Sequence, residues 1–194
     1  SLVQRPSPLG WSYAFDNTTL TTLGAVTTGD TLGSIISGRQ TDMITLLMGD
    51  PFLLPLDPVR PSTVTTTGPK LSSDGSSMTM GDLANGVGPV KAGDILLFNS
   101  QTGKAMQTVT AVSAGTVSFG SGDPFNLNQR SAESGSITDL LGTDMSVQRI
   151  LMISYFVQET TPGEPRLMRA LNMYPAQALA GVVEDLQFTY DLVD

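Results

Sequence analysis

The side chains grouped densely enough to do chemistry are the carboxylates near the end of the chain, where Glu184 and Asp185 adjoin and Asp191 and Asp194 follow. Carboxylate oxygens grouped in this way are what Ca²⁺ takes as ligands. A calcium loop, however, alternates Asp or Asn, turns at a Gly and closes on a distal Glu, and that spacing is absent. The group reads as a solvated acidic surface, and no metal-ligating residue is assigned. Paired carboxylates also serve glycoside hydrolysis, but aromatic residues to stack against sugars make up only 6% of the chain, so a carboxylate hydrolase ranks last among the readings the residues allow.

The chain has neither Cys nor His. That removes thiol nucleophiles, imidazole bases and Cys/His zinc sites together. A Ser–Lys dyad of the S-x-x-K kind needs a Ser three places before the Lys, and Lys70, Lys91 and Lys104 all lack it. All three sit in turn-like contexts, where exposed surface lysines are expected. Gly86-Val87-Gly88 and Gly120-Ser121-Gly122 match neither a phosphate-binding loop nor a dinucleotide fingerprint, and turns account for both. No catalytic, cofactor-binding or metal-binding residue is therefore expected, no cofactor is implied, and the chain reads as a non-enzyme. Arg149, Arg166 and Arg169 fall in or beside two strands of a hairpin, where cross-strand pairing to Glu159 or Glu164, or to a neighbouring subunit, is the expected use. Trp11, the single Trp, is expected to pack in the core rather than to anchor a partner helix.

The elements that hold these residues follow from composition. At 194 residues, 40% of them apolar and 14% charged, the chain suits one domain with a sizeable core. Many Thr and Val residues, with 20 Gly and 12 Pro, favour short strands and many turns over long helices. With 10 Lys and Arg against 18 Asp and Glu, the net charge is −8, which repels nucleic acid and anionic membrane surfaces. No apolar run approaches the roughly 20 residues that span a bilayer, and no secretory leader pattern opens the chain. Because Ser1 is not Met, a processed or trimmed chain is expected.

Along the chain, Trp11 to Phe15 reads as a short strand, and Asp16 to Gln40 as loops with one short helix. Met43 to Met48 is a continuous apolar run closed by Gly49-Asp50-Pro51, the pattern of a buried strand ended by a turn. Pro55, Pro58 and Pro61 then argue against regular pairing. Residues 62–90 read as a loop-rich insertion with edge strands at Val64 to Thr67 and Met78 to Met80, joined by Ser73-Asp74-Gly75. A three-stranded meander is expected over Asp94 to Phe98, Ala105 to Val112 and Thr116 to Phe119, and a helical turn near Ser136 to Leu141. Val147 to Gln158 is apolar on both alternating faces and reads as the central strand. Thr161-Pro162-Gly163 turns it into a partner at Arg166 to Leu171, and Leu186, Phe188, Tyr190 and Leu192 alternate with polar residues in a closing strand.

The closing text carries a resemblance. Ile153-Ser154-Tyr155-Phe156-Val157-Gln158, then Pro165-Arg166-Leu167-Met168-Arg169, then Ala176 through Gly181-Val182-Val183-Glu184-Asp185-Leu186-Gln187-Phe188-Thr189-Tyr190 resemble, in order, the C-terminal half of type IV pilus minor pilins of the PilW-like family. Pseudopilin J of type II secretion is a more distant look-alike. Thr41-Asp42-Met43-Ile44-Thr45-Leu46 and Ala92-Gly93-Asp94-Ile95-Leu96-Leu97 with Val109-Thr110-Ala111-Val112 are similar to the same family, whereas Ser1 to Gln40 and Ser62 to Val90 match none of it. The apolar N-terminal helix that such subunits carry is not in this sequence.

The resemblance implies one head over residues 1–194, an α+β or mainly β fold with antiparallel sheets and few short helices. It implies a non-catalytic minor pilin or pseudopilin of a pilus or secretion filament, with other pilins as partners, no nucleic acid, and an inner-membrane anchor through the absent helix. The location expected is the bacterial cell envelope, with the head periplasmic or extracellular. The alternative is an extracellular β-sandwich binding module or adhesin, which the Thr, Ser and Gly richness suits equally.

Overall fold

The computed structural model describes residues 3–4, 22–51, 56–63, 69–80, 90–130 and 135–189. In chain order the strands are β1 (Val3–Gln4), β2 (Thr22–Leu23), β3 (Val26–Gly29), β4 (Ile35–Ile36), β5 (Arg39–Gln40), β6 (Met43–Gly49), β7 (Leu56–Pro61), β8 (Lys70–Leu71) and β9 (Ser77–Thr79). They continue as β10 (Ile95–Asn99), β11 (Lys104–Thr108), β12 (Ala111–Ser113), β13 (Thr116–Ser118), β14 (Met145–Thr161), β15 (Glu164–Leu171) and β16 (Gln177–Ala180). The fold is mainly β. Among the described residues the helical element is a single 3₁₀ turn, Ile137–Leu140, capped by the Ser136 side chain, where the sequence leads one to expect a helical turn.

β14 is the spine. It runs for 17 residues, rich in β-branched and aromatic side chains and free of Gly and Pro until Pro162-Gly163 closes the hairpin. Ile150 pairs with both Ile95 and Gly49, Phe156 with both Met168 and Met43, and Val147 with both Phe98 and Leu56. A strand has two edges, so β10 and β15 follow one another along one edge, and β7 and β6 along the other. All four run antiparallel to β14. β11, β16 and β3 extend the sheet outward from β10, β15 and β6.

The joint between β10 and β15 is filled by Asn172. Its N–H donates to the Met152 carbonyl at 2.8 Å, and its Oδ1 accepts the Met152 N–H at 2.8 Å. The residue adopts φ +48°, a left-handed conformation that Asn tolerates better than most. Where the backbone turns away, the side chain supplies the missing acceptor.

β7 joins two sheets. Through Leu56 and Val59 it pairs with β14, and through Arg60 and Pro61 it runs parallel to β8, which leads on to β9, β13 and β12. The sheet is thus mixed rather than wholly antiparallel. Pro58 does not prevent a strand here, because it falls within a register shift between β7 and β14, where a missing N–H is harmless.

Three more expectations are corrected. The meander is two separate hairpins: at Val109 and Thr110 the chain leaves the Asp94 carbonyl and takes up the Ser118 carbonyl, so β11 pairs with β10 while β12 pairs with β13. Residues 22–40 hold strands and no helix, because Ser37 (φ +50°) and Gly38 (φ +82°) form the two-residue turn of a β4–β5 hairpin. The closing segment 182–189 is not a ladder strand. Trp11, the strand expected at Trp11 to Phe15, Val64 to Thr67, and Tyr190 with Leu192 lie outside the described residues.

The largest core lies between the two sheets. Leu96, Phe98, Ala105, Met145 and Val147 face Leu71, Met78, Met80, Val117 and Phe119, with Ile137 and Leu140 from the 3₁₀ turn. Phe98 and Phe119 meet edge to face, centroids 5.6 Å apart at 87°. Leu71, Met78, Met80 and Val90 come from the segment 62–90 and are all buried in this core. On the opposite face Ile95, Met106, Ile150 and Met152 are covered by Phe125 and Leu127. Asp123 holds that cover by accepting the N–H groups of Phe125, Leu127 and Asn128. A third cluster joins Met43, Phe156, Met168 and Ala170.

The Asn172 bridge is testable. Asn172→Ala removes the acceptor for a buried N–H and puts a Cβ residue at positive φ, so it lowers stability by about 2 kcal/mol in urea unfolding. Asn172→Gly regains only the backbone part of that loss.

Candidate functional site

Among the described residues, the densest arrangement of interacting charges centres on Arg149, placed by the register around β14. Arg149 lies between its neighbours Leu96 and Asp50: it pairs with Leu96 in the ladder, and its carbonyl accepts the Asp50 N–H at 2.9 Å. Asp50 directly follows β6, and Asp94 directly precedes β10. The two strand ends therefore deliver one carboxylate from each side. Arg149 Nε donates to Asp50 Oδ2 at 2.6 Å, Nη2 pairs with the same oxygen, and Nη1 reaches Asp94 Oδ2 at 3.3 Å. The side chains are only 13%, 4% and 7% exposed for Arg149, Asp50 and Asp94.

Asp94 is further constrained. Its Oδ2 accepts the Lys91 N–H at 2.9 Å, and its Oδ1 accepts the Tyr174 hydroxyl at 3.0 Å. Gly93 makes the approach possible, since at φ +100° a Cβ there would sit 3.1 Å from the Tyr174 ring. Burial, and then the Asp94 hydrogen bond and charge, push the Tyr174 phenol up to about 12. Side chains alternate along a strand, so Arg149 shares the Val147 face. The charged group thus caps the largest core where it ends, and beyond it on that face come Leu151, Ile153 and Tyr155.

Chemically this is a guanidinium already held by two carboxylates, with a phenol donating to one of them. The arrangement welds β6, β10 and β14 and the turn that carries Tyr174.

The residues singled out from sequence are dispersed. Arg149 pairs with neither Glu159 nor Glu164, because Glu159 lies roughly 30 Å further along β14. Arg166 does meet Glu164, at 3.1 Å, but both are about half exposed and the pair contributes little. Arg169 donates to Gln177 Oε1 at 3.3 Å. Lys91 is exposed in a turn, whereas Lys70 and Lys104 stand half-buried in β8 and β11, not in turns.

Glu184 and Asp185 are exposed, and Asp185 accepts the Gln187 side chain at 3.0 Å. Asp191, Asp194 and Gly86 to Gly88 lie outside the described residues, and Gly120 to Gly122 is a loop pinned by Thr110 Oγ1. Among the described residues no three acidic groups converge as a metal site.

A cavity of about 140 Å³ is lined by Leu71, Leu141 and Met145 with the exposed Ser62 and Thr63 and the loop Ser72-Ser73. The loop is braced by Asp74, whose carboxyl is held well below its usual range by the Ser76 N–H and then the Ser72 hydroxyl. The cavity lining carries no titratable group.

Asp50 and Asp94 read from sequence only as parts of a turn and of a strand. Their acidic character at strand ends is visible there, but nothing local joins them to Arg149.

Two outcomes check this geometry. Arg149→Met leaves buried carboxylates uncompensated and lowers stability by about 3–5 kcal/mol, while combining it with Asp50→Asn and Asp94→Asn restores most of the loss in urea unfolding. Tyr174 has a folded pKa above its unfolded value near 10, so the folded state binds the extra proton between them. Its contribution is present below pH 10 and is lost as pH rises towards 12, so unfolding midpoints fall over that window, and Tyr174→Phe reduces the fall.

Comparison of the chain with protein-family models, with curated proteins and with solved structures finds no match.

Proposed function

We propose that the chain is the head of a filament subunit of the PilW-like minor pilin or pseudopilin kind, acting by assembly and not by catalysis. Its partners are other pilins, and it is anchored in the inner membrane before assembly by an apolar helix ahead of Ser1. Its head lies in the periplasm or outside the cell. The observation that carries the reading is the ordered resemblance of the closing text from Ile153 to Tyr190.

One structural feature supports it. Directly paired residues Met48 with Leu151, Leu46 with Ile153 and Ile44 with Tyr155 place six large apolar side chains on one face of the sheet. All but Met48 are half-buried, and Met48 is 47% exposed. An amphipathic helix laid on a sheet buries such a face. The same geometry gives a filament subunit a seat for its own helix.

The native reading frame upstream of Ser1 tests the proposal. It is expected to encode a short basic leader, then Gly, then Phe and an apolar helix with an early Glu; a conventional cleaved signal peptide in its place supports the secreted binding module instead. In the full-length chain, Met48→Glu is expected to leave the head's stability within about 0.5 kcal/mol, as for an exposed position, yet to remove the subunit from sheared filaments. Normal incorporation of that variant counts against the helix seat.

A further inference from the structure

Residues 182–189 leave β16 through Gly181, where a Cβ would meet nothing within 4 Å. They then cross from β15 to the start of β6, the two strands that flank β14. Val183 N–H donates to the Pro165 carbonyl at 2.9 Å, Asp42 N–H donates to the Leu186 carbonyl at 2.9 Å, and Gln187 Nε2 donates to the Gln40 carbonyl at 3.2 Å.

The anchor is Asp42, a residue only 3% exposed, whose Oδ2 accepts the Phe188 N–H at 2.9 Å and whose Oδ1 accepts the Thr31 N–H at 3.0 Å. Val183, Leu186 and Phe188 are half-buried, while Val182, Glu184, Asp185, Gln187 and Thr189 point outward. The residues about Asp42 thus hold residues 186–188 by backbone and carboxylate hydrogen bonds, with Leu186 and Phe188 half-buried. Main-chain hydrogen bonding is also what gives affinity when a peptide adds to a sheet edge, although no ladder forms here.

We propose that the start of β6 around Asp42 is a peptide-binding site, filled here by the chain's own residues 186–188, and that the same segment of a second copy fills it when copies are crowded. The segment belongs to no ladder, so its release breaks few hydrogen bonds and leaves the three core clusters intact. Gly181 provides a joint at which it can swing away. Exchange of an identical element adds no new contact chemistry, since each copy regains in its neighbour what it gave up in itself. The short tether keeps the segment at an effective concentration of the order of mM. Docking within one chain therefore prevails in dilute solution, and exchange needs dense packing.

The absence of native Cys makes a direct test available. Gln40→Cys is prepared in one batch of the chain and Gln187→Cys in another, and the two are mixed at high concentration under mild oxidation. A mixed disulfide dimer is expected in several-fold excess over either like-with-like dimer, and its yield should rise with protein concentration. A synthetic peptide of residues 182–189 is expected to suppress it.

Asp42→Asn in the Gln40→Cys batch, with folding checked by circular dichroism, should also suppress it. The peptide arm needs no substitution beyond the two Cys and stands if the Asp42→Asn variant does not fold. Mixed dimers no more abundant than the like-with-like dimers, or mixed dimers indifferent to the peptide, overturn the proposal.

Discussion

The backbone of β14 presents N–H and C=O groups along two edges for 17 residues, and each such group buried without a partner costs about 1–3 kcal/mol. None of its neighbours is as long, so each edge is closed by two strands set end to end. β10 meets β15 on one side and β7 meets β6 on the other. Every such joint leaves a place where the ladder lapses. Asn172 fills one with its own side chain, and the Asp50 N–H, donated to the Arg149 carbonyl, continues the other past the end of β6. The second sheet hangs from the same spine through β7, whose Pro58 sits where the register with β14 slips.

That arrangement also explains why charge is buried at the edge of the largest core. Two strands of opposite edges end beside Arg149, and the residues at those ends are Asp50 and Asp94. A buried carboxylate left alone is far costlier than one engaged by a guanidinium, so the three occur together, with Tyr174 closing the far side of Asp94. The face that continues past them is apolar and only partly covered, the asymmetry on which the filament reading draws. At the far end of β14 the segment from Val183 to Phe188 joins β15 to the start of β6 by isolated backbone and side-chain hydrogen bonds instead of ladder pairing.

Several elements are legible in the residues alone. The largely apolar run Met43 to Met48 is β6, and the two-faced apolar stretch from Val147 is β14. The turn announced at Pro162-Gly163 is a two-residue hairpin loop. The alternation in Leu186-Gln187-Phe188-Thr189 correctly implies one apolar and one wet face, yet it does not give a ladder strand. Alternation reports which side of an extended chain meets the protein, and says nothing of whether a second backbone lies within hydrogen-bonding distance. Residues 105–112 look like one strand for the same reason, though their pairing partners change at Val109.

The charged centre could not be found that way. Arg149 stands 99 residues from Asp50 and 55 from Asp94, whereas the nearby Glu159 and Glu164 offer the obvious local partners. By itself the sequence determined what acts over a few residues: a mainly β chain, its central strand, its tight turns, and the lack of thiol or imidazole chemistry. Only the tertiary structure decided which strands share an edge of β14, which carboxylates reach Arg149, and that Asp42 receives Phe188 from 146 residues away. Hydrophobic period and turn preference are local properties of the chain, while register between distant strands is settled only when all of them compete to satisfy the same two edges.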